Sequence, residues 1–228
     1  MKQQGYMRGS TLRRIERSGA APILLAPLLA LAACAPDYQP AVPEGGSGTA
    51  AGSGTSIAVF AGGCFWCTEA DFEKVPGVTG AVSGYTGGTT ANPSYEQVSA
   101  GGTGHFEAVR ISFDPARVSY GELVHYYFRT VDPTDAGGQF CDRGESYRTA
   151  IFVAGDAQKR EAEAAKAASE KRLGTKVATP VLPAAAFTPA EDYHQDYYKT
   201  NSLKYKFYRS RCGRDARLKA VWGDAISD

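Results

Sequence analysis

Apolar positions along this chain fall into short runs of two different periods, separated by glycine- and proline-rich breaks. Ser56 to Phe60 (SIAVF) reads as a strand, and Ala61-Gly62-Gly63 interrupts it. Phe65, Glu69, Phe72 and Val75 then follow at helical spacing until Pro76-Gly77, which predicts strand, glycine turn and helix in succession. Val78 to Ser83 predicts a second strand. Gly84 to Gly104 is rich in Gly, Thr, Asn and Pro and reads as one long loop, a length usually kept for function. His105 to Phe113 alternates, with Glu107, Val109, Ile111 and Phe113 on one face and Ala108, Arg110 and Ser112 on the other. The carboxyl of Glu107 is thereby expected on the apolar side of a strand.

The second half continues in the same mixed order. Ser119 to Glu122 has the form of a capping box and predicts a helix to about Thr130. Ala150 to Ala154 predicts a strand, and Asp156 is expected to cap an Ala/Glu/Lys-rich helix that runs to Leu173 and stops at Gly174. Val177 to Leu182 is another strand candidate, and Thr188-Pro-Ala-Glu191 predicts a short helix through Tyr198. The tail from Lys199 to Arg217 reads as a solvated wrap that packs Tyr205, Phe207 and Tyr208 on the domain. With no internal repeat, this order predicts an α+β two-layer sandwich: a central mixed β-sheet flanked by helices.

The start of the chain follows another logic. Lys2, Arg8, Arg13, Arg14 and Arg17 precede an uncharged run from Gly19 to Ala33 that is too short for a spanning helix and is broken by Pro22 and Pro27. It ends at Leu31-Ala-Ala-Cys34, which resembles a bacterial lipobox, so residues 1–34 are read as a lipoprotein-type signal peptide and Cys34 as its lipid attachment point. Residues 35–55, mostly Pro, Gly, Ser, Thr and Ala, are read as a flexible linker, and 56–228 as the catalytic domain with its cysteine-bearing tail. The expected location is the bacterial cell envelope, exported and lipid-anchored, facing the periplasm. The whole chain carries 25 basic and 24 acidic side chains. Removing the signal leaves a net charge of about −3, which argues against a nucleic-acid partner.

Chemistry concentrates at Cys64, placed where the glycine turn passes into a helix. Free backbone N–H groups and the positive helix end should lower its pKa. Cys67, one turn on, completes a Cys-x-x-Cys pair that points to redox chemistry or to zinc. Two alternatives compete. A thioredoxin-like oxidoreductase would use Cys64 and Cys67 and need no Glu107. A structural zinc module would use Cys64, Cys67, Cys141 and Cys212, although these lack a second close pair.

Gly63-Cys-Phe-Trp-Cys67, with Glu69 and Val75-Pro-Gly-Val78, resembles the signature of the peptide methionine sulfoxide reductase family, A type. Gly84-Tyr-Thr-Gly-Gly88, Asn92-Pro-Ser-Tyr95, Gly104-His-Phe-Glu-Ala-Val109, Phe140-Cys-Asp-Arg-Gly144, Tyr147-Arg-Thr-Ala150 and Tyr193-His-Gln-Asp196 follow in that family's order. The resemblance implies thiol-dependent reduction of methionine S-sulfoxide, free or protein-bound, in repair of oxidised proteins. Cys64 would be the nucleophile that becomes a sulfenic acid, and Glu107 the proton donor. Tyr95 and Tyr147 would bind the sulfoxide oxygen with Asp142 as companion acid, while Phe65 and Trp66 would cup the S-methyl group. Cys212 and Cys67 are the resolving and recycling candidates, leaving their order open. Cys67 stands where the family commonly has glycine. Cys141 is expected to be an inert small hydrophobe, and His194 a structural hydrogen-bonding residue. No cofactor and no metal are expected; the reductant would be an external dithiol such as thioredoxin, and the chain a monomer.

Overall fold

The computed structural model describes residues 54–223, which belong to one compact unit. The signal-like segment, Cys34 and nearly all of the linker lie outside the described residues. In chain order the elements are β1 (Ser56–Gly62), α1 (Phe65–Phe72), β2 (Val78–Thr86), α2 (Tyr95–Ala100), β3 (Phe106–Phe113), α3 (Tyr120–Arg129), β4 (Gly138–Gln139), β5 (Asp142–Arg143), β6 (Thr149–Val153), α4 (Asp156–Leu173), β7 (Val181–Pro183), β8 (Phe187–Pro189), α5 (Tyr197–Thr200), α6 (Ser202–Arg211) and α7 (Arg214–Trp222).

Six strands form one sheet in the order β7-β6-β1-β3-β2-β8, and β4 and β5 pair separately. Only β6 and β7 run parallel in the larger sheet, which is therefore mixed as the sequence predicts. Strand alternation sorts its two faces. Ala58, Phe60, Val109, Ile111 and Ile151 enter the main core against Phe72 of α1, Leu123 and Tyr127 of α3, Ala162 and Ala165 of α4, and Leu218 and Trp222 of α7. Ala61, Phe106, Ala108, Ala150 and Phe152 form a smaller cluster on the opposite face with Leu182 and Phe187. The α+β reading with a mixed sheet and flanking helices stands. Among the described residues no helix is long and apolar enough to cross a membrane.

Three local expectations change. The loop from Gly84 gives up its first residues to β2 and contains α2, whose capping box joins Ser94 and Gln97. Thr188-Pro189 does not open a helix. It lies in edge strand β8 with Pro189 opposite Gly84, where a residue without an N–H is tolerated. Thr188 comes so close that a Cβ on Gly84 would stand 2.4 Å from its carbonyl oxygen. The tail is two helices, α6 and α7, rather than a wrap; it does bury Tyr205 and half-bury Tyr208, while Phe207 stays exposed. Two smaller differences concern ends. The N-cap of α4 is Gly155, not Asp156, and the strand expected from Val177 narrows to β7 because Ala178 N–H donates to the Pro133 carbonyl at 2.6 Å instead of joining the ladder.

Candidate active site

The turn between β1 and α1 requires glycine. Gly63 has φ 79°, and a Cβ there would lie 2.5 Å from Cβ of Gln139, a fully buried side chain. Gln139 is held by the Asp132 N–H, which donates to it at 2.8 Å, and by its own donation to the Asp132 carbonyl at 2.8 Å. Cys64 follows as the N-cap of α1, its carbonyl accepting from the N–H groups of Cys67 and Thr68.

The sulfur is not where the helix end is spent. Phe65, the first helical residue, donates its N–H to Glu107 Oε2 at 3.0 Å. Cys64 is buried, and burial pushes its thiol well up, reinforced by Cys67 and Glu107 and opposed by the neighbouring Tyr208. The expected lowering is thereby corrected. Cys67, 1% exposed, is brought down to about 7 by its hydrogen bond with Cys64, against the effect of burial and with help from Arg214 and Arg209. Cys64 and Cys67 are both free thiols.

Glu107 lies inside, on β3, as the alternation predicts. Desolvation raises its carboxyl to about 8; the Phe65 N–H and a Tyr147 hydrogen bond offset this in part, while Asp142 and Cys67 reinforce it. It is therefore an acid at neutral pH. Tyr147 lies beside both Tyr95 and Glu107, and burial with the Glu107 charge raises both phenols. Tyr95 opens α2 and is anchored by its N–H to Glu191 Oε1 at 2.8 Å; the hydroxyl of Tyr85 donates to the other oxygen at 2.8 Å. Asp142, on β5, accepts from the Tyr208 hydroxyl.

Phe65 and Trp66 form the apolar side. Phe65 is packed inside, whereas half-buried Trp66 stacks on Tyr197 with ring centres 3.8 Å apart. The indole N–H of Trp66 donates to Nδ1 of His194 at 3.1 Å, which agrees with the hydrogen-bonding role expected of that histidine. The His194 ring also faces Phe65 and Tyr95, at 5.0 and 4.5 Å, and thus joins the apolar side to the phenols.

The remaining cysteines overturn one expectation. Cys141 is exposed and disulfide-bonded to Cys212, with Cα atoms 4.9 Å apart, so it is not an inert buried hydrophobe. With Cys212 so tied, Cys67 is the free thiol beside Cys64. The four cysteines do not converge into a zinc module. Among the described residues the cluster at ligating distance that contains cysteine is Cys141, Asp142 and Cys212, and its two sulfurs are bonded to each other. Sequence reasoning also passed over Tyr208, Arg209 and Arg214. A signal was there: Tyr205, Tyr208, Arg209 and Cys212 recur at helical spacing through what looked like a polar tail.

Comparison with known proteins agrees with this geometry. Residues 56–226 match the family model described as peptide methionine sulfoxide reductase. The peptide methionine sulfoxide reductase MsrA 2 of Rhizobium meliloti is 55% identical over 167 residues, 73% of this chain and 83% of that protein. Its namesake in Caulobacter vibrioides is 56% identical over 170 residues, 74% of this chain and 86% of that protein. Among solved structures, methionine sulfoxide reductase A of Corynebacterium diphtheriae superposes with a TM-score of 0.64 at 33% identity, covering 66% of this chain and 76% of that one. Mxr1 of Saccharomyces cerevisiae in its reduced form gives 0.62 at 31%, covering 65% and 86%. The buried cysteine at a glycine turn, bonded through its neighbour to a protonated glutamic acid, is thus found in a chain that belongs to the peptide methionine sulfoxide reductase family.

Proposed function

We propose that this chain reduces methionine S-sulfoxide, free or within oxidised proteins, to methionine at the expense of an external dithiol. The observation that carries the reading is Glu107: a buried carboxyl raised to about 8, bonded to the N–H of the residue after Cys64, with Tyr147 and Tyr95 beside it. A sulfoxide oxygen placed on Glu107 and the two phenols gains a proton as its sulfur becomes electrophilic. Cys67 thiolate takes the proton of Cys64, whose sulfur attacks. Cys64 leaves as the sulfenic acid and methionine departs as the thioether, the oxygen having passed to the cysteine. Cys67 then attacks the sulfenic sulfur, expelling water and forming a Cys64–Cys67 disulfide that the external dithiol reduces.

This order puts Cys67 before Cys212, because Cys212 is already bonded to Cys141 in this state. Phe65 and Trp66 hold the S-methyl group, and Asp142 adds a second acid near the phenols. A thioredoxin-like protein is the reductant in this reading, no cofactor enters, and the chain acts as a monomer. We also place the protein in the cell envelope, exported and anchored through a lipid on Cys34. Radiolabelled palmitate should be incorporated by the full chain and not by Cys34→Ala; equal labelling would remove the anchor.

The function is tested by offering separated S and R epimers of a methionine sulfoxide peptide with dithiothreitol. The S epimer alone should turn over, with no turnover for Cys64→Ser. Reduction of insulin disulfides with neither epimer consumed would favour a thioredoxin-like activity instead.

A further inference from the structure

Four large apolar side chains are exposed among the described residues, and two of them, Leu203 at 82% and Phe207 at 70%, stand one turn apart on α6. At about 100° per residue they share one stripe of the helix, with Lys206 on one side and Lys204 and Arg211 on the other, all three exposed. The opposite face is the one turned to the domain. There Tyr205 packs with Cys64, Cys67 and Ala70, the Tyr208 hydroxyl donates to Asp142, Arg209 donates to Asp71 at 2.8 Å, and Cys212, the C-cap, is bonded to Cys141. These contacts fix the rotation of α6 about its axis, so the apolar stripe is held outward. The helix contains no acidic residue. Its acidic neighbours are engaged elsewhere, Asp71 and Asp215 by Arg209 and Asp142 by Tyr208, and among the described residues no carboxylate pairs with Lys204, Lys206 or Arg211.

We propose that the outer face of α6 docks on an anionic lipid surface, with Leu203 and Phe207 entering the headgroup boundary and Lys204, Lys206 and Arg211 reaching lipid phosphates on either side. An apolar stripe between two rows of cations is the pattern of a helix that lies in a membrane interface, because Lys and Arg stems cover apolar surface while their charged ends stay among the headgroups. The inference rests on the envelope reading above for the supply of that surface. With a lipid on Cys34, residues 35–55 hold the start of the domain within about 75 Å of the membrane even when fully extended. At that range a contact too weak to bind from solution is populated, which favours lipid over an acidic soluble protein as the occupant. Since the inner side of the same helix packs on Cys64 and Cys67, docking holds the reactive pair about one helix diameter, ~10 Å, from the surface. That placement suits oxidised proteins held at the same membrane.

The test is lysine acetylation of the full chain carrying Cys34→Ala, mixed with phosphatidylcholine vesicles made with or without phosphatidylglycerol, each lysine being read by fragment mass spectrometry. Reading α6 itself makes the result independent of how residues 1–34 behave and of whether Cys34 is acylated, so failure of this inference is distinguishable from failure of the anchor or of the activity. Vesicles with phosphatidylglycerol should slow acetylation of Lys204 and Lys206 by about tenfold, while the exposed Lys159 and Lys171 of α4 keep their rates. Phosphatidylcholine alone should protect neither. Leu203→Ser combined with Phe207→Ser, two exposed positions that leave the core untouched, should remove most of the protection, and added salt should weaken it. Unprotected Lys204 and Lys206 on the anionic vesicles would overturn the docking surface. Equal protection on both kinds of vesicle would overturn the role of the cations, and protection that rises with protein concentration without vesicles would give the stripe to a second copy of the chain.

Discussion

At the residue scale the site depends on one redirected hydrogen bond. The helix-start N–H that would have steadied the Cys64 thiolate is taken by Glu107, so the acid is fixed against the nucleophile and the sulfur is left desolvated. Glu107 was legible because strand alternation alone puts it inward; the rise of Cys64 was not, because it comes first from burial, which the packing of distant segments sets. Since Glu107 is protonated in the folded chain up to about pH 8, turnover with saturating dithiol should fall as pH rises through that value. Glu107→Gln should lose roughly 10²–10⁴-fold in kcat. The sign for stability is also set. The folded chain keeps a proton that the unfolded carboxyl releases near its ordinary value, so this group stabilises the fold in acid and that contribution drains away up to about pH 8. Thermal melts should therefore show Glu107→Gln gaining on the parent at pH 8.5 relative to pH 5. At Cys67 the expected effect is kinetic. Cys67→Ser should still release a first equivalent of methionine but accumulate the Cys64 sulfenic acid, read as a dimedone adduct; failure of that adduct to form would hand first resolution to another thiol.

At the element scale, β1, the glycine turn and α1 form the unit that delivers the two cysteines, and its sequence pattern was sufficient to foresee it. The turn is tight for a reason outside the unit: Gln139 from β4 fills the space a side chain on Gly63 would need. Gly63→Ala combines a left-handed backbone with that clash and should cost about 2–4 kcal/mol in denaturant unfolding. It should lower turnover as well, since Cys64 is the next residue. Elements whose partners are distant were read less well. The helix α2 carries its own signal, Ser94 followed three residues later by Gln97, but the surrounding Gly, Thr and Asn residues outweighed it. Thr188-Pro189 has the local form of a helix start; it becomes a strand because Gly84 lets an edge strand approach β2 closely.

At the scale of the whole molecule, the C-terminal helices complete the site from behind. Arg214 of α7 is 1% exposed and donates to the Thr130 carbonyl at 2.7 Å and the Gly62 carbonyl at 3.4 Å, while its Nε lies 3.8 Å from Asp71 Oδ2. It ties the end of β1 to the end of α3 and helps lower Cys67. Arg214→Met should cost about 3–5 kcal/mol in unfolding free energy, because it leaves Asp71 and two carbonyls with fewer partners. Where the variant is folded, its Cys67 alkylation profile should move to higher pH; an unmoved profile would remove Arg214 from the control of that thiol. The mixed α+β order, the cysteine at a helix start, the inward acid on β3 and the motifs around them can be read from residues alone, because periodicity, turn residues and short-range spacing are local properties. Which cysteines pair, where the helix-end N–H is spent and which residues of the tail pack against Cys64 and Cys67 follow from the folded chain. Those outcomes are set by burial and by contacts between segments far apart in the chain, which no local pattern encodes.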